Sequence, residues 1–468
     1  MAAGRLTPLP PRPGGRRRIT SVPLPYVSPG LLRFLAQESG SAAILLGCTV
    51  VGLVWANIPG AGYEAFWTTE TMFRIGSWQM TLDLRHWLND ALMVVFFLTI
   101  GLEISREAAV GSLRDRRTVI VPALGALGGM AAPALLYLAF THGGPAAAGW
   151  AIPMSTDTAF LIGILALFGP RCPDQLRLFL LTLSIVDDIG TILVMALFYT
   201  KHVSMVALAI AAFFVVVLLL LRWAGVWQLA PYVVTGLGLW FAIYASGVHP
   251  TLAGVLVGLI VPAVQRDPDA HERLRFYGRA VIEYADPFRV RLASAAARAT
   301  VPANDRLLNA IHPFSAFLVV PLFGMANAGV RLNGGILRDS LHSPVTIGVF
   351  TGLVAGNALG ISAITGLVLS TKLGELPGRV RYGHLLGGAA LAGIGFTISL
   401  FLTDLAFDDE ILRTEAKIGV LSGSLVAAVI GSVLLRYLGE RLPLCSIETT
   451  EGPPPLPSGP WRDPTVAA

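Results

Sequence analysis

Two neighbouring aspartates, Asp187 and Asp188, stand about half-way along an apolar run that reads Phe179-Leu-Leu-Thr-Leu-Ser-Ile-Val-Asp187-Asp188-Ile-Gly190. A third, Asp157, closes the stretch Trp150-Ala-Ile-Pro153-Met-Ser155-Thr156-Asp157 in the run before it. A charged side chain at the bilayer centre costs about 2.5–3.5 kcal/mol on insertion scales, so acids at that depth default to function. Helical neighbours point about 100° apart, which turns Asp187 and Asp188 onto two adjoining surfaces. Ser184, Asp188 and Thr191 recur at i, i+4 and i+7 and form one oxygen-bearing stripe. Hard cations take oxygen ligands of this kind. Burial and a neighbouring acid both favour the neutral form of a carboxyl. Such a group holds a proton or a cation, not both, and that competition at a site facing each side in turn is ion exchange.

The elements that carry these acids carry breaks as well. Pro153 lacks a donor and clashes with the preceding turn, so the fourth apolar run should break there, with Ser155, Thr156 and Thr158 around Asp157. Far along the chain, Gly393-Ile-Gly395-Phe-Thr397 interrupts the eleventh run in the same way. Irregular backbone at membrane depth is tolerated where it lines a cavity. Two interrupted spans in corresponding positions of two halves point to a transporter's midplane site.

Composition sets the solvent. Of 468 residues, 54% are hydrophobic and 13% charged, against roughly 25% charged in soluble domains. The expectation is an all-α integral membrane protein of about 12 transmembrane helices. They fall near 41–58, 86–108, 118–140, 148–168, 176–199, 203–222, 229–246, 249–264, 312–330, 345–370, 384–406 and 416–438. The net charge of +5 is a topology signal and not a nucleic-acid one. With twelve spans, 27 of the 34 Lys and Arg fall on the side of the two termini and 7 on the other. The positive-inside rule then makes both termini cytoplasmic. Residues 1–35 read as a disordered cytoplasmic tail, 36–440 as the membrane domain with a cytoplasmic loop at 265–311, and 441–468 as a second cytoplasmic tail. The loop suggests a surface helix around 288–299. Cys48, Cys172 and Cys445 are odd in number and far apart, and form no disulfide or zinc framework. On the outside, short extended runs flanking Gly76-Ser77 within residues 72–82 suggest a hairpin.

Seven stretches, in order, resemble the NhaA-type sodium/proton antiporters over roughly residues 35–440. They are Trp87-Leu-Asn-Asp90-Ala-Leu-Met, Gly101-Leu-Glu103-Ile-Ser-Arg106-Glu107, Gly149-Trp-Ala-Ile-Pro-Met-Ser-Thr-Asp157, Ile185-Val-Asp187-Asp188-Ile-Gly, Ser246-Gly-Val-His249, Pro321-Leu-Phe-Gly-Met-Ala-Asn-Ala-Gly329 and Gly393-Ile-Gly-Phe-Thr397. The resemblance implies an inverted-repeat fold with the fourth and eleventh helices broken and crossing. It implies ion and proton binding at Asp187 and Asp188, with Thr156 and Asp157 at the crossing, and electrogenic exchange of cytoplasmic Na+ or Li+ for external H+. It further implies a multi-pass protein of the bacterial inner membrane with no cofactor, in contact with membrane lipid and joined as a homodimer through the outside hairpin. Glu103, Arg106, Glu107 and His312 would belong to a cytoplasmic pH-responsive cluster.

Two departures stand out. Family members carry a Glu-His pair shortly before the histidine matched by His312, where this chain has Leu308 and Asn309. The family's tenth helix carries a lysine in a Gly-Lys-x-x-Gly stretch, facing the first aspartate; here it reads Gly356-Asn357-Ala-Leu-Gly360. The three lysines, Lys201, Lys372 and Lys417, read as lying in loops or at helix ends, with none able to substitute. An intramembrane aspartyl protease, which also uses two buried acids, wants a Gly-x-Gly-Asp stretch that the sequence lacks. The expectation is a transporter and not an enzyme.

Overall fold

The computed structural model describes residues 38–441, apart from short breaks at 76–77, 112, 114–115, 169–173, 201–202, 265–268, 285, 372–373, 375–379 and 381. The two tails therefore lie outside the described residues, save for the end of the last helix, and so do Lys201 and Lys372. Among the described residues, ten helices are long and apolar enough to cross a membrane, or eleven if one bent pair counts as a single span. The chain runs through α1 (Glu38–Asn57), α2 (Met93–Ala109), α3 (Arg116–Thr141), α4 (Thr158–Phe168), α5 (Asp174–Phe198), α6 (Met205–Trp223), α7 (Leu229–Ser246) and α8 (Leu252–Ile260). It continues with α9 (Ala303–Phe314), α10 (Asn357–Ser370), α11 (Tyr382–Leu391), α12 (Phe396–Ala406) and α13 (Glu410–Arg441). Single π-turns join α9 to Val320–Asn327 and Pro344–Thr351 to α10.

The count differs from twelve at the stretch expected over 249–264. There α8 has nine residues, about 14 Å at 1.5 Å per residue, against a hydrocarbon core of about 30 Å. The ninth span also starts earlier than expected, at Ala303. Residues Ala303–Ile311 look loop-like because they carry Asp305 and Arg306. Their polar groups find partners on α2: Asn304 Nδ2 donates to the Leu102 carbonyl at 3.0 Å, and Arg106 Nε lies 3.2 Å from Asp305 Oδ1. The 265–311 loop thus ends about nine residues sooner. It holds two helices, Ala270–Glu283 and Pro287–Thr300, of which the second was legible. Asp286 caps that one by accepting from the Phe288 and Arg289 amides, with Pro287 at its first turn.

Between α1 and α2, β1 (Glu70–Ile75) and β2 (Trp78–Asp83) pair antiparallel with Ile75 opposite Trp78, forming the expected hairpin over a wider range. The bundle packs as two apolar bodies. One gathers α1, α3–α5, α10–α13, the end of the ninth span and most of the buried face of α2 (Met93, Phe97, Ile100, Ile104); the other gathers α6, α7, most of α8, the start of α9 and Leu102 from the opposite face of α2. Within the first, α3 and α10 touch backbone to backbone: a Cβ at Gly128 would run into the Gly360 carbonyl, and one at Gly360 into the Gly128 carbonyl. Small residues at the contact are how membrane helices approach this closely, and the contact fixes Asn357, one turn before Gly360, against α3.

Candidate functional site

The site is built where two helices stop. The fourth span begins as a 3-10 segment, Pro145–Met154, with Pro153 near its end; Ser155 to Asp157 are non-helical, and α4 restarts at Thr158. The eleventh run is α11 and α12, bent by 46° at residues 392–395. A helix end leaves backbone donors and acceptors unpaired, and a membrane interior offers no water to meet them. The two breaks satisfy each other. Asp157 N donates to the Ile394 carbonyl at 2.6 Å, Thr156 Oγ1 to the Ala392 carbonyl at 2.9 Å, and Ser399 Oγ to the Ile152 carbonyl at 2.6 Å. Gly395 allows the approach, because a Cβ there would come 2.7 Å from the Ser155 carbonyl.

The three aspartates meet at this junction with different surroundings. Asp157 is satisfied on both oxygens. Its Oδ1 accepts from the Ala159 and Phe160 amides at 3.1 and 3.2 Å, capping α4, and its Oδ2 accepts from the Thr397 amide at 3.0 Å and from the Thr397 hydroxyl. Asp187 Oδ2 accepts from the Thr156 amide at 2.8 Å, while its Oδ1 is buried with no hydrogen-bond partner. Asp188 Oδ1 is likewise buried without a partner. Asp187 and Asp188 are 2% and 7% exposed. Both come from mid-α5, as do Ser184 and Thr191. The Ser184 hydroxyl bonds Thr158, and the Thr191 hydroxyl is buried and unpartnered.

A cavity of about 480 Å³ reaches this junction. Asp188, Asp157, Thr156, Thr158 and Thr397 line it, together with Glu103, Arg106, Glu107, Asn309 and His312. Asp187 does not line it. The arrangement offers a small cation or a proton one unpaired carboxylate at the cavity wall and a second one behind it. Among the described residues, no three His, Cys, Asp or Glu side chains are grouped to hold a resident metal ion.

The profile of the family described as Na+/H+ antiporter 1 matches residues 32–435. The chain belongs to the Na+/H+ antiporter 1 family. A protein named Na(+)/H(+) antiporter NhaA 3, from Frankia alni, is 58% identical over 464 residues, which cover 99% of this chain and 100% of that one. The Na(+)/H(+) antiporter NhaA of Citrobacter koseri is 42% identical over 411 residues, 87% of this chain and 97% of its own. Among solved structures, the sodium proton antiporter MjNhaP1 of Methanocaldococcus jannaschii has a TM-score of 0.48 and 16% identity, covering 88% of this chain and 97% of that chain, too distant to decide anything. The Na+/H+ antiporter 1 family is one of transporters and not enzymes, and this member is a multi-pass membrane protein.

Asn357 heads α10 but does not bond Asp187; its Nδ2 donates to the Pro153 carbonyl at 3.2 Å, and its Oδ1 is buried without a partner. It ties down the broken fourth span at the point where Pro153 ends the helical ladder. Lys417 needs a correction. It lies inside α13, not at a helix end, is 7% exposed, and pairs with Asp404 Oδ1 at 3.0 Å. α13 starts at Glu410, six residues before the expected 416, because Arg413 and Lys417 find partners on α12. Lys417 makes no ion pair with Asp187, so it does not replace the missing lysine there. Glu103, Arg106, Glu107 and His312 share the cavity, where Leu308 and Asn309 stand in the positions of the Glu-His pair. Sequence reasoning did not place Thr158 or Thr397 in the site, nor Asp305 as the partner of Arg106. Thr158 and Thr397 were visible as hydroxyls beside the breaks; Asp305 sat in what read as loop.

Proposed function

We propose that this protein exchanges cytoplasmic Na+ or Li+ for external H+ by alternating access, with Asp188 and Asp187 as the shared cation and proton sites. The carrying observation is the pair of adjacent buried carboxylates, each with one oxygen unpartnered and neither in an ion pair, with Asp188 on the cavity wall. An unpaired buried charge is costly, and a bound Na+ or a proton removes the cost in turn. Sodium enters from the cytoplasmic cavity and displaces protons from the carboxyls. The site then reopens outward, sodium leaves, and protons from outside neutralise the carboxyls for the return.

Thr156 and Asp157 bind at the crossing of the two broken spans, with Ser184, Thr191 and Asn357 accessory. The fold reading is twelve passes in two inverted repeats, with α8 and its flanking turns completing the eighth. Both termini are cytoplasmic, in the bacterial inner membrane. Glu103, Arg106, Glu107 and His312 then line the cytoplasmic mouth and form the pH-responsive cluster. A homodimer joined through the β1–β2 hairpin completes the assembly, and no cofactor is needed. The same-named activity of the two relatives at 58% and 42% identity supports the reading. The test is proton flux in proteoliposomes driven by sodium, lithium or potassium. Flux with sodium or lithium is expected; flux independent of all three would overturn it.

A further inference from the structure

A second ionic cluster, around the buried Lys417, lies at the opposite end of α12 from the Asp157 contact. Lys417 Nζ is 3.0 Å and Arg413 Nε 3.7 Å from Asp404 Oδ1, and Asn89 Nδ2 donates to Asp404 Oδ2 at 3.4 Å. The Lys417 and Asp404 side chains are 9% and 14% exposed. Asn327 Nδ2 donates to Asn89 Oδ1 at 2.9 Å, and Arg413 Nη2 donates to the Phe407 carbonyl at 2.9 Å, just past the end of α12. The second, ninth, eleventh and twelfth spans thus converge on one carboxylate.

The helix between the two clusters is an eleven-residue rod. Thr397 and Asp404 are seven residues apart, about 10 Å along the axis and on nearly the same face. A carboxylate, Asp157, sits at the N-terminus of α12, and the cations Arg413 and Lys417 sit at its C-terminus. Both ends therefore carry the charge that complements the helix dipole. A buried ion pair is weak support for stability as such, since well-packed neutral residues do as well or better. Its use here lies in fixing the position of α12.

We propose that Asp404 and Lys417 are positioning residues for the exchange: their ion pair, supported by Arg413 and Asn89, clamps the outer end of α12 and so holds Thr397 on Asp157. The clamp must loosen and re-form as the junction changes its side of access. This role rests on the antiport reading for the reaction it serves.

The decisive variant is Asp404→Asn with Lys417→Met, which removes both charges and leaves none buried alone. It should fold, keep its apparent sodium KM within about twofold, and lose roughly tenfold in maximal exchange rate in proteoliposomes. Amide hydrogen exchange over 396–406, read in detergent without transport, should quicken by about tenfold, while 205–223 stays unchanged. Asp404→Glu, which keeps the pair, should hold the rate within about threefold of wild type. A double-neutral protein with wild-type rate and wild-type protection of 396–406 would overturn the proposal, as would Asp404→Glu as slow as the double variant. Absence of sodium-driven flux in the wild type would instead reject the antiport reading, and the amide-exchange arm would still judge the clamp.

Discussion

Asp404, half-buried, and Asp188, buried, are carboxylates of one helix bundle, and their surroundings are opposite. Asp404 has Lys417 at 3.0 Å, Arg413 at 3.7 Å and an amide from Asn89. Asp188 makes no ion pair among the described residues, has a buried oxygen without a hydrogen-bond partner, and has a second acid as its chain neighbour. A fold under pressure only for stability would pair or remove every buried acid, because breaking or omitting a partner leaves an uncompensated charge. Where the partner is built in, the carboxylate holds helices in register. Where it is left out, the carboxylate waits for a mobile one. Asp157 stands between the extremes, completed by neutral donors from both broken spans, which suits a group that ties the junction together beside the main binding carboxylates.

The sharpest way to break this comparison is to neutralise the unpaired acid. Asp188→Asn keeps the shape and removes the charge that sodium needs. Sodium-driven proton flux should fall to the liposome background, while insertion and detergent melting stay near wild type, since no ion pair is lost. Near-normal flux by a folded Asp188→Asn protein would mean that the bare oxygen is incidental.

A smaller effect is expected at Asp157, whose work is divided between capping α4 and joining α12. Asp157→Ala removes the cap, for about 0.5–2 kcal/mol of stability, and frees Thr397, for roughly a tenfold loss of rate. Asp157→Asn keeps one carbonyl acceptor and should lie between this variant and wild type. Thermal melting and initial flux measured on the same preparations separate the two losses. Equal melting of wild type and Asp157→Ala would remove the capping role.

How far the sequence carries depends on whether a residue's neighbours are local. Asp187 and Asp188 announce themselves by depth in an apolar run. Pro153 announces its break, because proline lacks the donor wherever it sits. The hairpin is legible from two extended runs around Gly76-Ser77. Most of the misplaced features turn on distant partners. Ala303–Ile311 and the start of α13 read as loop from their charges, and only the Leu102 carbonyl, Arg106 and Asp404 make those charges compatible with helix. Asn357 reads as a gap opposite Asp187, yet its amide bonds Pro153, a residue 204 positions away. The end of α8 did carry a local signal, since Pro262 pushes Val261 out of the helical region to ψ 129°, but the apolar Val261–Val264 stretch masked it.

The gentlest perturbation tests the missing partner directly, by giving Asp187 the cation that Asp404 already has. Asn357→Lys places an ammonium on α10 at the edge of the junction, where the Asn357 amide now meets the Pro153 carbonyl. Two schemes differ in what Asp187 does without it. If Asp187 stays ionised throughout, only Asp188 swaps a proton and exchange is one-for-one. If Asp187 takes up a proton when sodium leaves, two protons return per sodium and charge moves across the membrane. The second avoids a lone charge at the bilayer centre, worth about 2.5–3.5 kcal/mol on insertion scales, and is the expected course. Sodium must then displace two protons, so its apparent affinity should fall steeply as the medium is acidified. A lysine beside Asp187 holds that carboxylate charged, leaving one proton fewer for sodium to displace there. The sodium response of Asn357→Lys should accordingly move to lower pH, by about one unit for a partner within 4–6 Å, with little change in maximal rate. The measurement is flux against pH at fixed sodium, with the membrane potential clamped by potassium and valinomycin. A wild-type rate indifferent to the potential would reject two-proton exchange. A lysine variant with an unchanged pH response would show that Asp187 carries no exchangeable proton.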